Sequence, residues 1–114
     1  MMRKVLIACP DDGISYILCR YLSNCEVYTC DTGEEALFQI DQLQPDIALI
    51  FLSLPKLDGL TVLRRASVRP PVIIALSAFV TNDLLHTAAD LGVHEIVRIP
   101  FSLQYLLRII DKYI

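Results

Sequence analysis

An unbroken apolar run, Ile47 to Leu52, lies between Pro45-Asp46 and a loop containing Ser53, Pro55, Asp58 and Gly59. A short run without polar alternation belongs to a strand buried on both faces, as in the centre of a parallel sheet covered by helices. Beyond the loop, Leu60, Val62 and Leu63 return at helical spacing, so Pro45 to Leu60 reads as strand, loop and helix. In open α/β folds the loops at the carboxyl ends of central strands carry the chemistry.

The rest of the chain repeats this alternation. Lys4 to Ala8 reads as a first strand, and Ile14, Ile17, Leu18, Tyr21 and Leu22 follow at helical spacing up to Ser23-Asn24. Glu26 to Thr29 is a second strand. Thr32 with Glu35 forms a capping box, hydroxyl and carboxylate each taking a free helix amide, ahead of Ala36, Leu37 and Ile40. Arg69-Pro70-Pro71 forces an extended entry into strand four, Val72 to Leu76. A helix from about Asn82 to Leu91 stops at Gly92, strand five is Ile96 to Ile99, and Ser102 caps a last helix running nearly to Ile114. Five βα repeats give an α/β fold, a flavodoxin-like doubly wound (βα)5 three-layer sandwich with parallel strand order 2-1-3-4-5. One domain over 1–114 is expected, with a crevice outside strands one and three.

With 114 residues, 54% of them apolar, the chain can bury a core without disulfides or structural metal. A net charge of -3 and the absence of a basic run exclude an evident nucleic-acid surface. The start M-M-R-K-V-L-I-A-C imitates a lipoprotein signal, but Pro10-Asp11-Asp12 cuts the apolar stretch short, so it is a first strand. With no segment of membrane-spanning length, a cytoplasmic protein without membrane contact is expected. Cys9, Cys19, Cys25 and Cys30 have no C-x-x-C spacing, and His86 and His94 are distant in sequence; the thiols are expected to serve as small buried hydrophobes.

The stretch P-D-I-A-L-I-F-L-S-L-P-K-L-D-G-L resembles the third strand and following loop of receiver domains of two-component response regulators. V-L-I-A, T-G-E-E-A-L, I-I-A-L-S-A-F and D-L-G-V-H-E-I-V-R-I-P-F extend the likeness over the whole chain. P-K-L-D-G-L-T-V-L, L-S-A-F and A-D-L-G are especially similar to receivers of sporulation-initiation regulators of endospore-forming bacteria. The resemblance implies a phosphorelay module in a transcription regulator. Two acidic residues after strand one and a phosphoacceptor aspartate would hold Mg²⁺, a lysine after strand five would pair with the phosphate, and a Ser or Thr after strand four would follow it.

The departures fall on those reactive positions. The acidic pair maps to Cys9 and Pro10, the acceptor to Phe51 and the lysine to Ile99; Asp11 and Ser77 are retained. Sliding the register to make Asp11-Asp12 the pair would displace the first helix. Without the acceptor no acyl phosphate forms, and without the lysine its charge is uncompensated. Phe51, Cys9 and Ile99 are expected to make an apolar plug, and neither Mg²⁺ nor another cofactor is expected. Ser53 as a substitute nucleophile lacks a base within evident reach, and Ser77 is expected to hydrogen-bond backbone. Asp46 should lie at the opposite end of the sheet, and Asp58-Gly59 marks a turn into a helix.

The last helix has an apolar arc of roughly 160° against the ~100° usual at a surface. Leu103, Leu107, Ile110 and Ile114 are expected to cover the sheet. Leu106, Ile109 and Tyr113, with Leu84 or Leu85, are expected to dock a protein partner or a second copy through helix four, strand five and helix five. The leading expectation is thus a non-catalytic, phosphorylation-independent receiver-like module. The alternatives are a receiver with an unconventional acceptor and a flavodoxin-like cofactor binder; the latter suffers from the carboxylates of C-P-D-D-G, which repel flavin phosphate.

Overall fold

The computed structural model describes residues 2–114. Its elements alternate as expected: β1 (Lys4–Ala8), α1 (Asp12–Tyr21), β2 (Glu26–Cys30), α2 (Gly33–Leu43), β3 (Ile47–Phe51), α3 (Gly59–Arg65), β4 (Val72–Ser77), α4 (Asn82–Asp90), β5 (Glu95–Arg98) and α5 (Leu103–Asp111). The strands form one parallel sheet in the order β2-β1-β3-β4-β5. Every residue of β3 is buried, as its unbroken apolar run requires of a strand covered on both faces. The edge strand β2 is only partly buried.

Each helix starts on a side chain that takes an otherwise unpaired backbone amide. Asp11 accepts from Ile14 N–H (3.0 Å), Thr32 from Glu35 (3.2 Å), Asp58 from Thr61 (3.0 Å), Thr81 from Leu84 (3.1 Å) and Ser102 from Tyr105 (3.1 Å). The capping box at Thr32 is half made: the Glu35 carboxylate accepts instead from Gln39 Nε2 at 2.9 Å, a partner one helical turn away. α4 ends before Gly92, whose φ of +83° is the left-handed stop expected there.

Two glycines hold the loop after β3 against the body. A Cβ on Gly33 would stand 1.7 Å from Leu57 O, and Gly33 N–H donates to Pro55 O at 3.1 Å. A Cβ on Gly59 would meet Ile50 and Leu52 side chains at 2.9 Å. At the other end of the sheet, Asp46 accepts from Lys4 N–H at 2.9 Å, as its position before β3 implied.

The last helix keeps part of its expected assignment, with Ile110 buried and Leu107 half-buried, and changes the rest. Leu106, Ile109 and Ile110 are buried, whereas Leu103 and Ile114 are exposed. Burial of those three aliphatic side chains sets the phase, and beyond the helix the Tyr113 hydroxyl donates to Glu95 of β5 at 2.6 Å while Lys112 pairs with the same carboxylate at 3.4 Å. Leu106 and Ile109 are therefore corrected from docking residues to core. Ile109→Asp would unfold the chain rather than probe an interface.

Candidate functional site

The carboxyl ends of the strands bring together the expected crevice residues, but its two halves differ. In one half, Phe51 ends β3 with 7% of its surface exposed, inside the core cluster with Leu52 and Leu54. A buried aromatic ring removes enough apolar area from water to contribute on the order of 2–3 kcal/mol. Ile99 is half-buried beyond β5 and packs on the same cluster, its N–H donating to Ser77 O at 2.9 Å. The Ser77 hydroxyl is spent on its own loop: it donates to Phe79 O (3.0 Å) and accepts from Phe79 N–H (3.2 Å). Ser53 is exposed.

The other half is open and polar. Cys9, Asp12, Ser15, Thr29, Cys30 and Asp31 line a cleft of about 250 Å³ between the ends of β1 and β2. Cys9 is buried, its thiol donating to Asp11 O and accepting from Asp11 N–H, both at 3.4 Å. Desolvation by burial pushes the Cys9 thiol above its usual range. Burial, aided by the charges of Glu35 and Asp31, pushes Cys30 up to about 12. Both are therefore protonated, poor nucleophiles at neutral pH. Pro10 and Asp11 are exposed, and Asp11 commits Oδ1 to the cap of α1.

Sequence reasoning singled out Cys9, Pro10, Asp11, Phe51, Ser77 and Ile99, weighed Asp12 only in a shifted acidic pair and Cys30 only as a buried thiol, and passed over Ser15, Thr29 and Asp31. The signal was the strand order itself, since β1 is flanked by β2 as well as β3 and the residues after β2 must face those after β1. On the expected docking face, Leu85 is 46% exposed and Leu84 and Tyr113 are half-buried. Leu85, Ala89, Val93 and Ile96 border a groove of about 230 Å³ between α4 and β5. Among the described residues no helix is long and apolar enough to cross a membrane.

The family profile of the response regulator receiver domain matches residues 11–111. The chain belongs to the response regulator receiver family. Receivers of this kind are signalling modules of two-component response regulators, working through partner proteins and effector domains. The probable transcriptional regulator ycf27 of Galdieria sulphuraria is 31% identical over 96% of this chain and 47% of its own length. The transcriptional regulatory protein KdpE of Staphylococcus aureus is 30% identical over 98% of this chain and 51% of its own. The chain thus spans about half the length of these curated relatives. Among solved structures, the receiver domain of sensor histidine kinase PA1611 from Pseudomonas aeruginosa superposes with a TM-score of 0.77 at 22% identity, covering 99% of this chain and 98% of its own.

That Pseudomonas receiver has a magnesium ion coordinated in its active-site cleft, and the expectation that magnesium plays no part here is corrected accordingly. The expectation counted Asp11 as the one retained carboxylate, set Asp12 aside with the shifted register, and overlooked Asp31 on the neighbouring wall. Mg²⁺ is usually held by one or two carboxylates with water or phosphate completing its shell. Asp12 and Asp31 both line the cleft, while among the described residues no three His, Cys, Asp or Glu side chains stand together as an all-protein cage.

Proposed function

We propose that residues 1–114 form one receiver domain that signals without being phosphorylated, docking a partner protein as part of a longer cytoplasmic transcription regulator. The observation that carries this reading is the burial of Phe51 at the end of β3, where the resemblance places the phosphoacceptor carboxylate. An aromatic ring has no oxygen to form an acyl phosphate, and Ile99 at the lysine position offers no positive charge for one. Ser77, held to Phe79 in both directions, is a loop staple rather than a group waiting for a phosphoryl oxygen.

Asp12 and Asp31 are the residues that would hold a magnesium ion, which when bound would compensate negative charge at the cleft mouth. The proposed docking surface is the groove between α4 and β5, with Leu85 at its exposed edge and the half-buried Leu84 and Tyr113 outside its lining.

The chemistry is tested by incubating the protein with a small acyl phosphate donor and Mg²⁺ and measuring intact mass. No phosphoryl adduct is expected; a base-labile adduct would end the proposal. Docking is tested separately with Leu85→Asp, which is expected to abolish partner capture while leaving thermal stability within about 0.5 kcal/mol. Undiminished capture would remove the α4 groove from the account.

A further inference from the structure

At the amino ends of the strands, on the far side of the sheet from the crevice, two neighbouring clefts open to the surface. One, of about 280 Å³, has Met2, Arg3, Asp46 and Pro71 in its wall. The other, of about 150 Å³, has Pro45, Val68, Arg69 and Pro70 and shares Asp46 and Pro71 with the first. Each cleft leaves an apolar side chain in water, Met2 at 58% and Val68 at 59% exposed. Proline has no N–H, so Pro45, Pro70 and Pro71 give this rim an apolar wall that cannot pair with an added strand and is read by side chains instead.

Each cleft also has one arginine, and each arginine is held by a backbone carbonyl. Arg3 Nη1 donates to Tyr113 O at 2.6 Å, and Arg69 Nε donates to Leu63 O at 3.1 Å. Among the described residues neither is in an ion pair; Lys112 with Glu95 is the one such pair. A guanidinium has five N–H donors in a flat fork, so both keep donors that suit a carboxylate. Asp46 spends Oδ2 on Lys4 N–H at 2.9 Å, and its other oxygen has no donor among the described residues. Arg3 precedes β1, Asp46 precedes β3 and Arg69 comes three residues before β4, and β1, β3 and β4 are neighbours in that order. The rim therefore reads cation, acceptor, cation, over the roughly 10 Å that two strand spacings cover.

We propose that this rim docks a short extended segment of a partner protein that has two acidic residues three or four positions apart and apolar residues between them. An extended chain rises ~3.3 Å per residue, so that spacing matches the span from β1 to β4. The two carboxylates pair with Arg3 and Arg69, the apolar residues lie on Met2, Val68 and the prolines, and a backbone N–H of the segment donates to Asp46. Asp46 selects against acid at the middle, because a third carboxylate there would face its own. Spaced acids therefore fit this rim better than a continuous anionic surface. Neither the α4–β5 groove nor Phe51 takes part, so the site stands independently of the phosphorylation-independent reading.

Amide NMR of the whole chain tests the site with a capped pentapeptide that has glutamate at both ends and valine, alanine and valine between. Saturable shifts are expected at Arg3, Lys4, Asp46, Val68, Arg69 and Val72, with a Kd of about 1 mM, the strength of two exposed ion pairs and a little apolar burial. Arg3→Gln and Arg69→Gln, each checked for folding by circular dichroism, are each expected to weaken binding about fivefold, and either one serves if the other fails to fold. Salt at about 0.5 M is expected to weaken it further, and a pentapeptide with lysine at both ends is expected not to bind. Leu85→Asp is expected to leave the titration unchanged, so failure of the α4–β5 groove and failure of this rim are told apart. No shifts at about 10 mM peptide overturn the proposal, as do shifts confined to the α4–β5 groove, equal binding of the lysine peptide or an affinity untouched by both arginine variants. Cosedimentation with anionic phospholipid vesicles that is lost in Arg3→Gln and Arg69→Gln, without binding of the glutamate peptide, would assign the rim to a membrane surface and overturn it as well.

Discussion

The two halves of the crevice have been treated differently by the sequence. Where β3, β4 and β5 end, Phe51 is buried, Ile99 is packed on the core and the Ser77 hydroxyl is tied to backbone. Where β1 and β2 end, a cleft stays open between thiols, hydroxyls and the carboxylates of Asp12 and Asp31. The packed half holds the positions where the resemblance puts the phosphoacceptor and its lysine; the open half holds the two carboxylates proposed above to take a cation. Removing polar groups from the first lets the core extend to the rim of the sheet, because apolar side chains gain by leaving water. The difference teaches that one part of a sheet's rim can be packed shut while its neighbour stays open, since each half is built by different loops.

The largest test of this contrast is Phe51→Asp. Truncating a buried Phe costs about 3–5 kcal/mol, and an unpaired carboxylate in its place costs more. Urea denaturation is expected to show most of the native stability gone. A variant as stable as the parent would mean that the ring contributes no packing and that the contrast is false.

Cys30 sharpens the comparison from the open side. With its thiol raised from 9.0 to about 12, the thiolate is about a thousandfold scarcer than in an unfolded chain. Alkylation at pH 8, followed by mass spectrometry, should therefore be slower in the native protein by about that factor. The folded chain keeps this proton longer than the unfolded chain, so the stability linked to it is intact below pH 9 and declines as pH rises from 9 toward about 12. Alkylation at the unfolded rate would show that the open half is more solvated than its geometry implies.

The smallest effect concerns the loop that joins the halves. Asp58 caps α3 with one oxygen on Thr61 N–H and takes the Thr61 hydroxyl at 2.8 Å with the other. The backbone hydrogen bond from Thr61 is the main cause holding its carboxyl below 3.8. The stability it adds is therefore present above pH 3.8 and lost as pH falls through the lower folded value. Asp58→Ala should cost about 1 kcal/mol at neutral pH by thermal denaturation, and the cost should shrink in strong acid. An unchanged melting temperature would show that the cap does not secure the loop.

Most of the fold could be read from the chain because each strand is an apolar run of fitting length and each helix has its own start signal. The continuous run of β3 and the caps at Thr32 and Ser102 are local facts, which a sequence displays directly. The errors come from facts that are not local. Periodicity gave the relative angles of Leu103, Leu106 and Ile109 around α5 but not which of them faces inward. That phase depends on which stripe joins the core built by the distant strands, and Leu106, Ile109 and Ile110 are the ones that do. The cleft was missed because Asp12 and Asp31 meet only through the pairing of β1 with β2. The need for glycine at 33 is set by Leu57 O, on another loop altogether. At the candidate site, Phe51 and Ile99 stood out in the sequence because the resemblance puts a carboxylate and a lysine at their positions. The carboxylates of the open half did not, because acids beside a turn look like ordinary loop residues.

The account rests most heavily on the claim that the end of β3 is closed to a phosphoryl group, and amide NMR with a phosphoryl mimic tests it most directly. Adding beryllofluoride with Mg²⁺ should leave the amides of Phe51, Leu52, Ser77, Phe79 and Ile99 where they were, with any magnesium-dependent shifts confined to residues around Asp12 and Asp31. Saturable shifts at Phe51, Ser77 and Ile99 that require both the mimic and the ion would contradict it.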